Sequence, residues 1–167
     1  FSDIDVFKYH KIDRGKFLMP RETGGKLFAR TRPLILQVGE FLFIHGSITN
    51  SLIKYNLDHN GKVNIHKINS DVSSWLMGKT KVPKYLEDMD ENNPIFSREY
   101  SDKKNISELK CNKIAKQLVK FYNARHVVMG HSSYATINTA CKKMLIRTDV
   151  SLSRAFGGNL DSKKLQA

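Results

Sequence analysis

The chain has 167 residues, and its 28 Lys and Arg outnumber 16 Asp and Glu, which gives a formal net charge of +12. Its length suits one ordinary domain, and 40% apolar residues suffice for a core, which excludes wholesale disorder. The longest apolar stretch, residues 33–38, is far shorter than the roughly 20 residues of a membrane span. We therefore expect no membrane partner.

The excess of positive charge first suggests binding to a nucleic acid. However, 20 of the 28 basic residues are lysines, and they are spread along the whole chain. Proteins that read bases or grip phosphates favour arginine, whose planar guanidinium donates two parallel hydrogen bonds. No recognition helix, zinc finger or aromatic RNA-binding motif is present. We therefore expect a lysine-rich solvated surface and no nucleic-acid partner.

Two cysteines, Cys111 and Cys141, stand 30 positions apart. This spacing excludes a zinc site of the C-x-x-C kind. Because disulfides are rare in reducing compartments, we predict two reduced thiols in a cytoplasmic protein.

The first half of the chain predicts a β-hairpin between irregular and helical segments. Residues 1–30 are predicted to be irregular, because glycines and a proline interrupt them. Residues 33–38 and 41–44 predict two strands joined by a tight turn at Gly39 and Glu40. Residues 47–55 predict a helix, and the spacing of apolar residues over 65–75 predicts an amphipathic helix that buries Trp75.

The second half begins with a polar, acidic connection, residues 79–94, whose length is typical of functional loops. Asn105 and Glu108 form a capping-box pattern that predicts a helix to about residue 123, with Leu109 among its buried residues. Residues 125–130 and 144–149 predict strands, and residues 137–141 are ambiguous. The order favours an α/β (α+β) fold, with sheets packed against helices.

Two histidines share one local design. His45 follows the predicted strand 41–44 and precedes Gly46, whereas His131 follows the strand that ends at Gly130. A rigid strand end can hold an imidazole at a fixed point, as a metal ligand requires. From this pattern alone, two metal ligands and two polar strand ends are about equally good interpretations. The other histidines lack this setting and are predicted to lie on the surface: His10, His59, His66 and His126.

Six segments resemble, in order, motifs of calcineurin-like metallophosphoesterases, and most closely those of the Shewanella-like branch of the phosphoprotein phosphatases. The resemblance covers about residues 24–158. Residues 41–46 resemble the "FVHGG" motif, and residues 127–132 resemble "VVGHT". The other matches are Gly24-Gly25 with Arg32-Pro33 ahead of the first histidine, residues 94–98 for "PVWYR", residues 136–141 for "GINSAC", and residues 148–158 for "IDVGMSRAYGG".

This resemblance implies a fold and an activity. The chain would form part of a four-layer metallophosphatase β-sandwich flanked by helices, in which two divalent metal ions (Mn, Fe or Zn) bind between the sheets. His45 and His131 would be ligands of one metal, and Arg98 would hold the substrate phosphate. The activity would be hydrolysis of a phosphorylated protein or a small phosphomonoester. From the residues alone, Arg98 is equally a surface arginine facing Glu99 or Asp102.

The family's first-half motifs, "GDxHG", "GDxxDRG" and "GNHE", are absent from the chain. They carry the remaining metal ligands and the general-acid histidine. We therefore expect residues 1–167 to be the C-terminal part of a single phosphoesterase domain whose N-terminal metal-binding half is absent. The alternative is a catalytically inactive basic binding module, or a phosphatase remnant, whose histidines are structural.

Overall fold

The computed structural model describes residues 13–101 and 106–151. The chain divides into two units, one of Phe1–Leu34 with His66–Pro83 and one of Ile35–Ile65 with Lys84–Ala167. In chain order, the elements of the described residues are α1 (Arg14–Leu18), α2 (Thr23–Thr31), β1 (Ile35–Val38), β2 (Phe41–Ile44), α3 (Asn50–Asn56), α4 (Ile65–Leu76), a 3-10 turn (Lys84–Leu86), α5 (Glu108–Gln117), a π-helical turn (Leu118–Tyr122), β3 (His126–Met129), β4 (Asn138–Ala140) and β5 (Leu145–Arg147).

Helices replace the irregular segment that was predicted before residue 31. The Asp13 side chain accepts a hydrogen bond from the backbone of Lys16 and caps α1. Gly24 lies inside α2, where an added Cβ would lie 2.5 Å from a ring atom of Phe17. This glycine therefore permits close packing of α2 against α1 instead of breaking the helix, and the prediction was wrong from Arg14 onward. In α4, which was predicted correctly, Ile68 and Val72 are buried but Trp75 is only half-buried.

The second unit contains a five-stranded mixed sheet with strand order β1-β2-β3-β5-β4. β1 and β2 form the predicted antiparallel hairpin, and Gly39 in its turn has a φ of 56°, which suits glycine. β3 lies parallel to both β2 and β5. The carboxyl ends of β2, β3 and β5 therefore meet at one edge of the sheet. The mixed α+β class is confirmed.

The two faces of this sheet differ. One face is buried, and Gln37 on it donates a hydrogen bond to the carbonyl of Tyr122, which places the π-helical turn on this side. Its buried residues are Ile35, Leu42, Ile44, Val127, Met129, Leu145 and Arg147. The opposite face of the β1–β2 hairpin, which we call the open face, is apolar and exposed. Its residues and exposed fractions are Leu36 (49%), Val38 (56%), Phe41 (39%) and Phe43 (39%).

Helix α5 begins later than predicted. The Ser107 hydroxyl accepts a hydrogen bond from the backbone N–H of Lys110 and caps the helix, whereas Asn105 lies outside the described residues. The buried positions of α5 and the following turn include Ile114 and Leu118, as predicted, but Leu109 is 80% exposed. Among the described residues, no helix is long and apolar enough to cross a membrane.

Cys111 and Cys141 form a disulfide, with their Cα atoms 5.2 Å apart. The prediction of two reduced thiols was therefore wrong, because a sequence separation of 30 residues does not reveal that α5 lies beside the end of β4. The bond links the helix to the turn that leads into β5. The prediction of a cytoplasmic location rested on two reduced thiols, so the disulfide also removes this support for it.

Removing this disulfide should destabilise the protein. For a closed loop of 30 residues, the chain-entropy model gives about 3–4 kcal/mol. We expect the Cys111→Ser variant to lose about this much free energy of unfolding in a urea titration. A reductant should lower wild-type stability to the same level and leave the variant unchanged. Two reactive thiols in the folded, unreduced wild type would contradict the bond.

Candidate functional site

The two histidines meet at the carboxyl edge of the parallel strands. His45 follows β2 directly, and His131 follows β3 after one glycine, so the pairing of these two strands brings the rings together. His45 Nε2 lies 3.2 Å from His131 Nδ1, and the rings meet edge to face at 69°. The N–H of Gly130 donates to the carbonyl of His45 at 2.8 Å. The backbone therefore fixes both imidazoles relative to each other.

His131 has an unusual backbone and a perturbed charge. Its φ of 68° lies in the left-handed region, which few residues other than glycine adopt. Burial lowers the pKa of His131, and the charges of His45 and Arg98 lower it further, against weaker opposing effects of the Phe96 backbone and Glu91. The ring is therefore held toward its neutral form, which is the form that binds metal ions.

The segment from Glu91 to Arg98 forms one wall of the site. The Glu91 carboxylate accepts hydrogen bonds from the Ser97 hydroxyl and, at 2.8 Å, from the backbone N–H of Arg98. The N–H of Ser47 donates to the carbonyl of Pro94 at 2.9 Å. The Phe96 ring meets the His131 ring edge to face, with centroids 6.3 Å apart. The acidic connection predicted from the sequence thus reaches the histidine pair.

Gly46 makes this close approach possible. A Cβ at this position would lie 2.5 Å from the carbonyl oxygen of Pro94 and 2.6 Å from that of Ile95. A Cβ at Gly130 would meet its nearest atoms only at ordinary contact distance, 3.7 Å. The glycine beside His45 is therefore required by the packing, whereas the one before His131 is not.

Arg98 follows Phe96, whose ring contacts that of His131, by two residues, and the charge of Arg98 lowers the pKa of His131. Its side chain is exposed, as a group that captures a substrate phosphate must be. The alternative partner Glu99 instead pairs with Lys113, with Oε1 3.1 Å from Nζ. Asp102 lies outside the described residues. The structure thus brings His45 and His131 together at one edge of the sheet, and the segment that carries Arg98 contacts His131 through Phe96.

The histidine pair fits part of a metal site. Two nitrogens that bind one ion at about 2.1 Å lie roughly 3.0–3.4 Å apart for bond angles between octahedral and tetrahedral values. The observed separation of 3.2 Å falls within this range. However, no group of three His, Cys, Asp or Glu side chains that could hold a metal occurs within residues 13–101 and 106–151. A catalytic metal needs at least three protein ligands, so the described residues do not by themselves make up the ligand set of such a metal.

The remaining histidines lie away from this pair or outside the described residues. His59 and His66 are exposed, as predicted. His126 is half-buried and stacks on Phe41, with ring centroids 4.6 Å apart, at the opposite end of β3. His10 is not described.

Sequence reasoning missed three residues that shape the site. Glu91 was noted only for its charge, although it folds the segment that carries Arg98. The Ser132 hydroxyl contacts that of Ser101 at 3.0 Å and joins the His131 loop to this segment. Asp149 was recognised only as the acidic end of a strand, yet its carboxylate accepts hydrogen bonds from the side chain of Ser133 and the backbone of Ser151. Its place at the end of a parallel strand was the available signal.

Comparison with known proteins points to phosphatases. No family model matches the chain. Shewanella-like protein phosphatase 2 from Arabidopsis thaliana is 25% identical over 147 residues, which cover 86% of this chain and 35% of that protein. A cold-active protein tyrosine phosphatase of a psychrophilic Shewanella species superimposes with a TM-score of 0.57 and 20% identity, and one of its point mutants with 0.51 and 22%. Both superpositions cover 78% of this chain and 36% of the solved chain.

The chain thus spans about a third of the length of the relatives it matches. The structural likeness, at this identity, establishes a common fold for the superimposed part. Together with the sequence match, it supports a relationship between this chain and phosphatases.

Proposed function

We propose that this chain is the C-terminal part of a metal-dependent phosphoesterase that hydrolyses phosphomonoesters. The observation that carries the proposal is the pair of imidazoles at adjacent strand ends, with facing nitrogens 3.2 Å apart and the segment that carries Arg98 packed against the His131 ring. The matches to proteins named as phosphatases support it. A pair of polar strand ends would not need this separation, the left-handed backbone of His131 or an adjacent arginine.

In this proposal, His45 and His131 bind one of two divalent ions, and imidazole ligands favour Mn, Fe or Zn over Ca. When bound, the two metal ions would polarise a phosphoryl group and supply a hydroxide nucleophile. The chain's own contribution is to hold two imidazoles in a fixed orientation. Arg98 donates hydrogen bonds to the phosphate oxygens, for which a guanidinium is well suited because it binds two oxygens at once.

We propose further that a second sheet covers the open face and completes the metal site, which makes this chain part of the two-sheet sandwich. Phe41, Phe43 and His45 alternate along one strand, and all three are exposed. An element that buries the two phenylalanines would therefore also reach His45. The remaining ligands and the general-acid histidine would come from that element, and carboxylates on it would complement the net charge of +12.

The substrate we propose is a phosphorylated protein, with small phosphomonoesters as alternatives. The names of the relatives, a protein phosphatase and a protein tyrosine phosphatase, support this class. The lysine-rich chain would also favour acidic, phosphorylated substrates over neutral ones. Hydrolysis of phosphopeptides and of p-nitrophenyl phosphate by the intact phosphatase, meaning this chain with the rest of the proposed domain, tests the proposal. Activity should disappear with a chelator and return with Mn²⁺.

The isolated chain should be a poor enzyme. Because its described residues offer two protein ligands where a catalytic metal needs at least three, we expect residues 1–167 to bind Mn²⁺ weakly in calorimetry. Their hydrolysis of p-nitrophenyl phosphate should be at least about 100-fold slower than that of the intact phosphatase. Metal-dependent turnover by the isolated chain at the rate of the intact phosphatase would show that the ligand set is already complete.

A further inference from the structure

Arg147 is a buried cation in β5. It is 6% exposed and lies on the buried face of the sheet, paired in register with Met129. Its Nε donates to the carbonyl of Tyr100 at 3.1 Å, and its Nη1 lies 3.4 Å from Oδ1 of Asn138. Its Nη2 is buried and has no hydrogen-bond partner among the described residues. The guanidinium also lies over the ring of Tyr134, 5.2 Å from the centroid.

Burying the charge of Arg147 costs folding free energy. None of the ion pairs within residues 13–101 and 106–151 includes Arg147, so no carboxylate there offsets its charge. Replacing buried charges by apolar residues of similar volume is often neutral or stabilising. The other inward position of β5 holds an apolar residue, Leu145. Stability therefore does not explain an arginine at this position.

The contacts of Arg147 lead to the segment that carries Arg98. Arg147 holds the carbonyl of Tyr100, two residues after Arg98. The next carbonyl, that of Ser101, accepts a hydrogen bond from the Tyr134 hydroxyl at 2.8 Å. The hydroxyls of Ser101 and Ser132 lie 3.0 Å apart. These links fasten residues 100–101 to the strand ends beside the histidine pair.

We infer that Arg147 is a positioning residue for Arg98. By holding the Tyr100 carbonyl from inside the core, it fixes the segment from which Arg98 reaches the substrate phosphate. The inference rests on the proposed function, because it assigns the consequence of this anchoring to phosphate binding. It accounts for a buried arginine, since an apolar side chain cannot donate to a carbonyl.

The test uses the intact phosphatase and the Arg147→Met variant, which keeps most of the side-chain length and removes the donors. We expect kcat/KM for p-nitrophenyl phosphate to fall about 10- to 100-fold, as expected for a displaced binding group. KM and the inhibition constant for inorganic phosphate should rise and kcat should fall, because a displaced Arg98 neither binds the phosphate well nor stabilises charge in the transition state. The melting temperature should be unchanged or higher. Arg147→Lys, which retains one donor, should recover part of the loss.

A double-mutant cycle separates positioning from a general effect. If Arg147 acts through Arg98, adding Arg147→Met to Arg98→Ala should cost less than twofold in kcat/KM. An equal loss in both backgrounds, or unchanged kinetics in Arg147→Met, would overturn the inference. Arg125→Met, which changes an exposed arginine paired with Glu40, is the matched control and should behave as wild type.

Hydrogen exchange provides a readout that does not depend on activity. In Arg147→Met, the amides of residues 98–101 should exchange faster, while those of β3 keep their protection. Unchanged exchange at 98–101 would overturn the anchoring even if the variant lost activity through misfolding. An inactive wild-type phosphatase would instead overturn the proposed function, and the exchange result would still decide whether Arg147 anchors the segment.

Discussion

Replacing His45 or His131 by alanine in the intact phosphatase should lower metal-dependent hydrolysis of p-nitrophenyl phosphate by more than about 100-fold. Loss of a group that merely supports a metal ligand typically costs about 10- to 100-fold, and loss of a ligand should exceed this. In the proposed site, the facing nitrogens of the two rings, 3.2 Å apart, bind one shared ion, so each imidazole would be essential to it. Metal content should fall in parallel when it is measured by elemental analysis.

His59→Ala is the matched control, because His59 is exposed in a turn away from the pair. It should retain wild-type activity and metal content. Full activity in His45→Ala or His131→Ala would mean that these histidines are polar strand ends. The basic binding module would then be the better account of the chain.

Replacing Arg98 by alanine should lower kcat/KM about 100- to 1,000-fold, the range for removing one group that stabilises developing charge in a transition state. The proposed role requires two parallel hydrogen bonds, so Arg98→Lys should recover only part of the activity even though it retains the charge. Steady-state kinetics with p-nitrophenyl phosphate measure both effects. Metal content should stay at the wild-type level, which distinguishes this residue from the histidines.

Arg125→Ala serves as the control for Arg98. Its side chain is exposed and pairs with Glu40, with Nε 3.0 Å from Oε1, at the opposite end of β3. The variant should keep full activity. If Arg98→Ala and Arg125→Ala had the same small effect, Arg98 would be an ordinary surface arginine.

The sequence predicted where the strands lie along the chain better than it predicted which strands pair with each other. Residues 41–44 and 127–129 form compact apolar runs, so both strands and the histidines that follow them could be recognised locally. The parallel pairing of β2 with β3 places His45 beside His131, which stands 86 positions later in the chain. No local pattern encodes that contact, and only the resemblance to a family implied it.

The features that the sequence did not predict correctly have similar causes. Gly24 was interpreted as a helix breaker because glycine lowers helix propensity, yet the ring of Phe17 against the helix requires a residue without a side chain there. The disulfide joins a helix to a strand end whose closeness is visible only in three dimensions. Arg147 would be expected to face solvent, but the pairing of β5 with β3 sets it opposite Met129, on the buried face.

The residues of the candidate site differ in how far the sequence alone reveals them. His45 and Gly46 stood out because a strand end and an adjacent glycine form a recognisable pattern. The functions of Glu91 and Ser132 depend on which loops touch, and an acidic or serine residue in a loop carries no such signal. Residues 152–158, which complete the last of the family-like segments, lie outside the described residues.

The most direct test of the account is to locate a metal ion relative to the histidine pair. Crystals of the intact phosphatase grown with Mn²⁺ at a concentration that supports activity should be measured at a wavelength where manganese scatters anomalously. The account predicts an anomalous peak about 2.0–2.3 Å from one ring nitrogen of His45 and one of His131. A peak elsewhere, with the two rings hydrogen-bonded to each other, would contradict it.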